Sequence, residues 1–474
     1  MASHYGAAIS RLVPVALALV LGGCASFSPD GGFGPVADAV KAESGKDAFW
    51  ARSDEDRAAR DARVAELVGK GPLSVDDAVQ VALLNNRGLQ AELAELGIAE
   101  ADLVQAGRLP NPRFSVHRVS GDHHYALERA ISFNIFSLVT MPLATEVEKR
   151  RFAGAQQRAI LEVLRTAAET RKAWLEAVAA EESLRYLRQV SAAAEAGAEL
   201  ASRMARAGNW SALARAREQG FYADAALGVA RAEQMAGSAR ERLTRLLGLW
   251  GDQATTLALP ERLPGLPPQA EDRPAIEREA MMRRLDVRAA VSETRALAAN
   301  LDLSRATRFV SVVELGASRE KEAKDEPYVK GYDISLELPI FDWGTARVAR
   351  AETLYRQALD RAADTAINAR SEVREAYRHY RLSHDIARHY RDEIVPLRKR
   401  IAEENLLMYN GMLIGVFDLL ADARSQVLSV TGYVDALRAF WIAEADLGMA
   451  MIGRTAPPAV SRASVPQAES GGGH

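Results

Sequence analysis

The chain has 474 residues, 48% apolar and 26% charged, which is enough for two or three globular domains and excludes intrinsic disorder over most of its length. With 60 Lys and Arg against 63 Asp and Glu, the net charge is −3, so the basic excess that phosphate neutralisation requires is missing and nucleic acid is not an expected partner. Aromatic residues make up only 6%, while Ala and Arg recur throughout, a composition that suits long helices.

At the N-terminus, Arg11 precedes an apolar run from Leu12 to Leu21, long enough for the core of an export signal and too short to span a bilayer. It leads into Leu21-Gly22-Gly23-Cys24, which resembles a bacterial lipobox: small residues admit the peptidase to the backbone and the Cys24 thiol takes the lipid. The alternative is an ordinary secretory peptide with an incidental cysteine. Cys24 is the only cysteine, which removes any disulfide framework or Cys-rich metal site. Ala25 stands where the Asp of inner-membrane lipoproteins would be, so the lipobox resemblance implies the outer membrane. Residues 1–23 are therefore expected as a signal peptide and 24–72 as a lipidated tether and lead-in. Pro29, Gly31, Gly32, Gly34 and Pro35 predict a flexible tether over residues 25 to about 48, and residues 49–72 have no counterpart.

The sequence then repeats. Asn86 to Ala91 lies opposite Arg284 to Ala289, Glu95 opposite Glu293, Leu103 opposite Leu301, Gly208 opposite Gly411 and Leu247-Gly248 opposite Leu447-Gly448, at offsets of about 200 residues. Repeat 1 is placed at 73–260 and repeat 2 at 261–454, with prolines 260, 264, 267 and 268 at the joint and a disordered tail at 455–474.

Each repeat opens with helix, at 74–108 and 274–306; in the first, Ser74 and the acidic Asp76 and Asp77 form the start signal. The period then changes to two. Tyr328, Lys330, Tyr332, Ile334, Leu336, Leu338 and Ile340 alternate with Val329, Gly331, Asp333, Ser335 and Glu337, giving one apolar and one largely polar face. The partner strand is expected from Phe309 to Ser318, which sets the second hairpin at about 309–340. A weaker copy at about 113–136 puts Leu127, Ile131, Phe133 and Ile135 on one face, interrupted by Arg129. These strands have the length of tilted transmembrane strands. Long helical hairpins follow, at about 142–248 and 344–452, reversing at Gly208 to Ser211 and Asn410 to Met412; Pro396 should bend or break its helix.

Four strands cannot close a membrane barrel, because the smallest use about eight and every backbone group in hydrocarbon must be paired. Cyclic self-association is the natural solution; three copies would supply twelve strands, with two or four copies equally open to the sequence. Leu73 to Val79 with Asn85-Asn86, Leu109-Pro110-Asn111-Pro112, Leu338 to Gly344, and Tyr409-Asn410-Gly411 followed by Asp418-Leu419-Leu420 together resemble the outer membrane efflux protein (TolC) family, over about residues 73 to 452. The first repeat departs from the pattern, with Met141-Pro142-Leu143 where the second has the full Leu-Pro-Ile-Phe-Asp-Trp-Gly. The resemblance implies a mostly α chain with a small β part. Long helical hairpins would form an α-barrel, and four transmembrane strands per chain would complete a trimeric twelve-stranded β-barrel. It further implies an exit duct working with a periplasmic adaptor and an inner-membrane pump, anchored in outer-membrane lipid, with no cofactor beyond the lipid on Cys24.

By position, the resemblance assigns adaptor docking to Gly208, Asn209, Trp210, Leu213, Gly411, Met412, Leu413 and Ile414, with exposed Trp210, Met412, Leu413 and Ile414 as apolar contacts. The alternative is that the glycines only permit the reversal and the apolar residues pack within the hairpin. Asp418, and Asp422 one turn on, are the corresponding gate candidates, three symmetry-related carboxylates repelling one another; the alternative is a solvated helix face. His379, His384 and His389 are spaced by fives and cannot converge on one ion. His117 and His123-His124, at the first hairpin, are a weak hint of metal contact. No HExxH, GxSxG, Walker or GxGxxG signature occurs, so no enzymatic centre is expected. The rival to a channel is a lipid-anchored periplasmic coiled-coil scaffold without a pore.

Overall fold

A computed structural model describes residues 26–120, 125–309, 313–323, 326–336 and 340–454. The signal segment with Cys24, His123-His124, Leu338-Pro339 and the C-terminal tail lie outside the described residues. Helices α1 (Gly34–Ser44), α2 (Asp54–Gly69), α3 (Val75–Asn85) and α4 (Arg87–Ala106) lead to strands β1 (Arg113–Ser120) and β2 (Tyr125–Asn134), then to α5 (Ile135–Arg206) and α6 (Ala212–Leu247). After the single turn α7 (Asp252–Thr255) and a proline-bearing connection, the order recurs. Helices α8 (Ile276–Arg283) and α9 (Leu285–Ala306) lead to β3 (Val313–Lys321) and β4 (Val329–Leu336), then α10 (Thr345–His389), a π-helical turn (Tyr390–Ile394), α11 (Val395–Asn410) and α12 (Val416–Ile452). The 72 residues of α5 extend about 108 Å at 1.5 Å per residue, several times the thickness of an ordinary domain.

The two asparagines before α4 explain one motif. The side chain of Asn86 caps α4 by accepting from the Leu89 amide at 3.0 Å, and its Nδ2 donates to the Leu246 carbonyl at 2.9 Å. Asn85 Nδ2 donates to the carbonyls of Leu247 and Gly248, so the pair satisfies the open C-terminal carbonyls of α6. In the second half Arg284 does related work before α9. It donates to the Ala450 carbonyl at 3.0 Å near the end of α12 and to Glu372 Oε2 at 2.8 Å, with its side chain 1% exposed. Burial pulls the proton affinity of this guanidinium down, but Asp286 and Glu372 more than offset that and hold it charged.

The main core gathers Trp174, Leu243, Leu247, Leu437 and Phe440 from α5, α6 and α12 with Val81 and Ala82 of α3. Val64, Leu67 and Val68 of α2 join it, which gives the unassigned stretch 49–72 a structural place. The flexible tether expected over residues 25 to about 48 is corrected. Val36 and Val40 are fully buried with Leu83, Leu93, Ile160 and Val163, and the Ser28 amide donates to Glu100 at 2.7 Å. At Gly32, with φ +73°, a Cβ would lie 2.2 Å from the Phe152 ring, so only glycine lets the lead-in lie this close to α5.

Two further boundaries move. Helix α5 begins at Ile135 rather than near Pro142, because Asn134 caps it by accepting from the Ser137 amide, and Pro142 is carried inside the helix. Pro396 lies in the first turn of α11, directly after the π turn, so the helix accommodates the missing amide by a register slip instead of breaking.

Candidate functional site: the strand face and the helical tips

The strands form one antiparallel sheet in the order β1-β2-β3-β4, with β2 paired to β3, so the two hairpins expected from sequence are joined. Residues directly across the sheet share a face, and on one face the register aligns rows. From the helical end these are Val313 with Leu336, then Phe133, Leu315 and Ile334, then Ile131, Ala317 and Tyr332 with Phe114. On the inner strands Ile131, Phe133, Leu315 and Ala317 are exposed and Val313 is half-buried, while the alternates Ala130, Ser132, Glu314 and Ser318 are half-buried and Gly316 is buried, so the apolar rows lie on the more open face. Beyond the sheet, at its helical end, Phe341 is 98% exposed, and Phe309 meets Trp343 edge to face at 6.4 Å. The interruption at Arg129 is not isolated, for it falls in one row with Val116, Arg319 and Lys330. No described helix is long and apolar enough to cross a membrane.

At the other end of the long helices both reversals have the same hydrogen-bond pattern. The Gly208 amide donates to Ala205 and the Asn209 amide to Met204, while the Met412 amide donates to Tyr409 and the Leu413 amide to Met408. The counterpart of Gly208 is therefore Met412, not Gly411. Gly208 has φ +75° and Met412 φ +61°, whereas Gly411 is at −80°. Among the described residues Met412 is the one non-glycine with positive φ, and it is 93% exposed. Ser211 caps α6 by accepting from the Ala214 amide, and the Asp418 carboxylate accepts from the Gly415 amide at 3.2 Å at the start of α12.

The predicted tip residues divide. Gly208, Asn209, Leu213, Gly411, Met412 and Leu413 are exposed. Trp210 is not free as expected, because it stacks on Phe417 with ring centroids 3.6 Å apart, and Ile414 is half-buried. Asp418 is exposed; Asp422 is half-buried and accepts from Asn405 Nδ2 across the second hairpin. Sequence reading missed Phe417, Glu218 and Arg424. Arg424 of α12 pairs with buried Glu218 of α6 and lies 3.5 Å over the Phe221 ring, so the two helical hairpins are tied close to their tips. An aromatic in the same turn region of both repeats, Trp210 and Phe417, was the available signal. His384 is buried and shares a hydrogen bond with the Pro267 carbonyl, while His389 faces Glu393, so these two histidines of α10 have separate partners. Among the described residues no group of three potential ligands could hold a metal ion.

A four-stranded sheet with apolar rows on one face is continued by α5 and by the run from α10 to α11, each about 100 Å long. The chain has the fold of the outer membrane efflux protein (TolC) family, and the resemblance read from its motifs is borne out. No family model matches the chain. It is 28% identical over 293 residues to the cobalt-zinc-cadmium resistance protein CzcC of Cupriavidus metallidurans, covering 57% of this chain and 64% of that protein, so the match spans under two thirds of the curated relative. Among solved structures, a membrane protein from Pseudomonas aeruginosa is similar with a TM-score of 0.68 at 21% identity, covering 80% of this chain and 93% of that one. The Campylobacter jejuni CmeC outer membrane channel is similar with a TM-score of 0.69 at 17% identity, covering 80% and 85%. CusC, whose structures concern transmembrane channel formation, gives 0.67 at 17% identity, covering 80% and 92%.

Proposed function

We propose that this chain is one protomer of a trimeric outer-membrane channel, the passive exit duct of a tripartite efflux or type I-like secretion system. The observation that carries the reading is the sheet: its apolar face is open, and β1 and β4 are its edges. In hydrocarbon an edge must be paired, and pooling strands around a threefold axis gives twelve and leaves no edge. The long helices would then continue the barrel as a tunnel into the periplasm of a Gram-negative cell, with covalent lipid on Cys24 as a further anchor.

The exposed tips, Gly208, Asn209, Leu213, Gly411, Met412 and Leu413, are the surface proposed for a periplasmic adaptor, with Trp210 and Ile414 supporting them from within. Asp418 and Asp422 are the proposed gate carboxylates, and an inner-membrane pump supplies the energy. The chain itself performs no catalysis. The name of the curated relative makes divalent transition-metal ions the first cargo to test.

Electron microscopy of the detergent-extracted protein tests the reading. A threefold tube with one micelle-covered end is expected; thin rods without a barrel would leave a periplasmic scaffold in its place.

A further inference from the structure

We propose that the open face of the sheet carries a cationic girdle that binds the phosphate groups of membrane lipids along the tip-side margin of the apolar band. The inference rests on the membrane-barrel reading above. Its starting point is the register: Arg129 lies across from Arg319, and Arg319 across from Lys330, three cations abreast on three neighbouring strands. Directly opposite residues stand about 5 Å apart, and like charges in that relation are destabilising unless an anion answers them. One row closer to the hairpin tips, Arg118 and Lys321 flank Leu127 on the same face.

No acid of the described strands shares that face. Glu128, Glu314, Glu320 and Asp333 all occupy the alternate positions, Glu128 across from Glu320 and Asp333 across from Gly316. Arg113, on that acidic face, pairs with Glu314 at 3.9 Å. Tyr328 lies 5.9 Å from the Arg129 guanidinium and 5.8 Å from Lys321 Nζ, an amphipathic ring of the type that lines membrane interfaces. On the helical side the cationic row is contiguous with Ile131, Ala317 and Tyr332.

This order along one face, apolar rows, then a cationic row beside tyrosine, matches the order of acyl chain, interface and phosphate in a leaflet. The lipid is favoured over a soluble acidic partner because the adjoining rows would then remain in water. The hairpin tips lie at the end away from the helices, so the leaflet engaged is the one facing out of the cell.

The test titrates the full-length oligomer in neutral detergent with lipid A, with dephosphorylated lipid A and with inorganic phosphate, reading thermal stability. Lipid A is expected to stabilise the wild-type chain at concentrations where the other two do not. The triple variant Arg129→Gln, Arg319→Gln, Lys330→Gln should need on the order of a hundredfold more lipid, and Arg319→Gln alone an intermediate amount. Glu128→Gln with Glu320→Gln, on the opposite face, should respond as wild type.

An undiminished response from the triple variant, or equal stabilisation by dephosphorylated lipid, would overturn the girdle; a response to inorganic phosphate alone would replace it by a free-anion site. Conductance in phosphatidylcholine bilayers is measured in parallel. Conductance without the lipid effect removes the girdle only, and no conductance removes the channel reading beneath it.

Discussion

Met412 is held at φ +61°, a conformation that costs a side-chain-bearing residue about 1 kcal/mol or more, at the place where the first hairpin has glycine. Met412→Gly is therefore expected to raise stability by about 1 kcal/mol in denaturant unfolding while weakening adaptor capture, because the exposed side chain is lost. Stability that stays level would remove the strain argument, and unchanged capture would remove the docking role.

Glu444, on α12, is a second residue with a measurable signature. Burial pushes its carboxyl above the usual range, Glu271 adds to this, and Arg171 opposes it. A carboxyl whose proton affinity is raised by folding contributes stability that is fully present below its unfolded pKa and lost as pH rises through the folded value. Glu444→Gln should thus raise the melting temperature at neutral pH and show no advantage below the ordinary glutamate range. A pH-independent difference would sink the assignment.

At the scale of the element, the sheet is where chemistry and environment must agree. Leu336 sits in the apolar row nearest the helices on the open face. Leu336→Arg is expected to cost about 2 to 4 kcal/mol of membrane insertion and to leave a chain that folds its helices but fails to reach the heat-resistant oligomer. The same change at Ser335, on the opposite face, should be tolerated. Equal harm at both positions would mean that the face does not meet lipid. Alternation in β4 announced two faces, but only the register across four strands brought Arg129, Arg319 and Lys330 into one row. A single strand carries its period and not its partner's offset.

At the scale of the whole molecule, the sheet ends in two edge strands, and closure is a prediction about copies. Cysteines placed in β1 and β4 should cross-link neighbouring chains under oxidation into a ladder that stops at three. A ladder ending at two, or no ladder at any pairing, would contradict a threefold barrel. The ties between hairpins, Trp210 on Phe417 and Arg424 with Glu218, belong to this scale as well, since they fix how the helical pairs lie before any partner arrives.

By itself the sequence determined the order of elements, the change of period at each hairpin and the long helices, because these follow from local spacing and caps within a few residues. It also located the two reversals through Gly208 and Gly411. Tertiary structure decided the rest. It made Met412 the conformational counterpart of Gly208, folded the lead-in from Ser28 onward against α4 and α5, and spent Trp210 on Phe417. Each of these turns on contacts between residues tens to hundreds of positions apart, where burial and register outweigh the local signals that a linear pattern can carry.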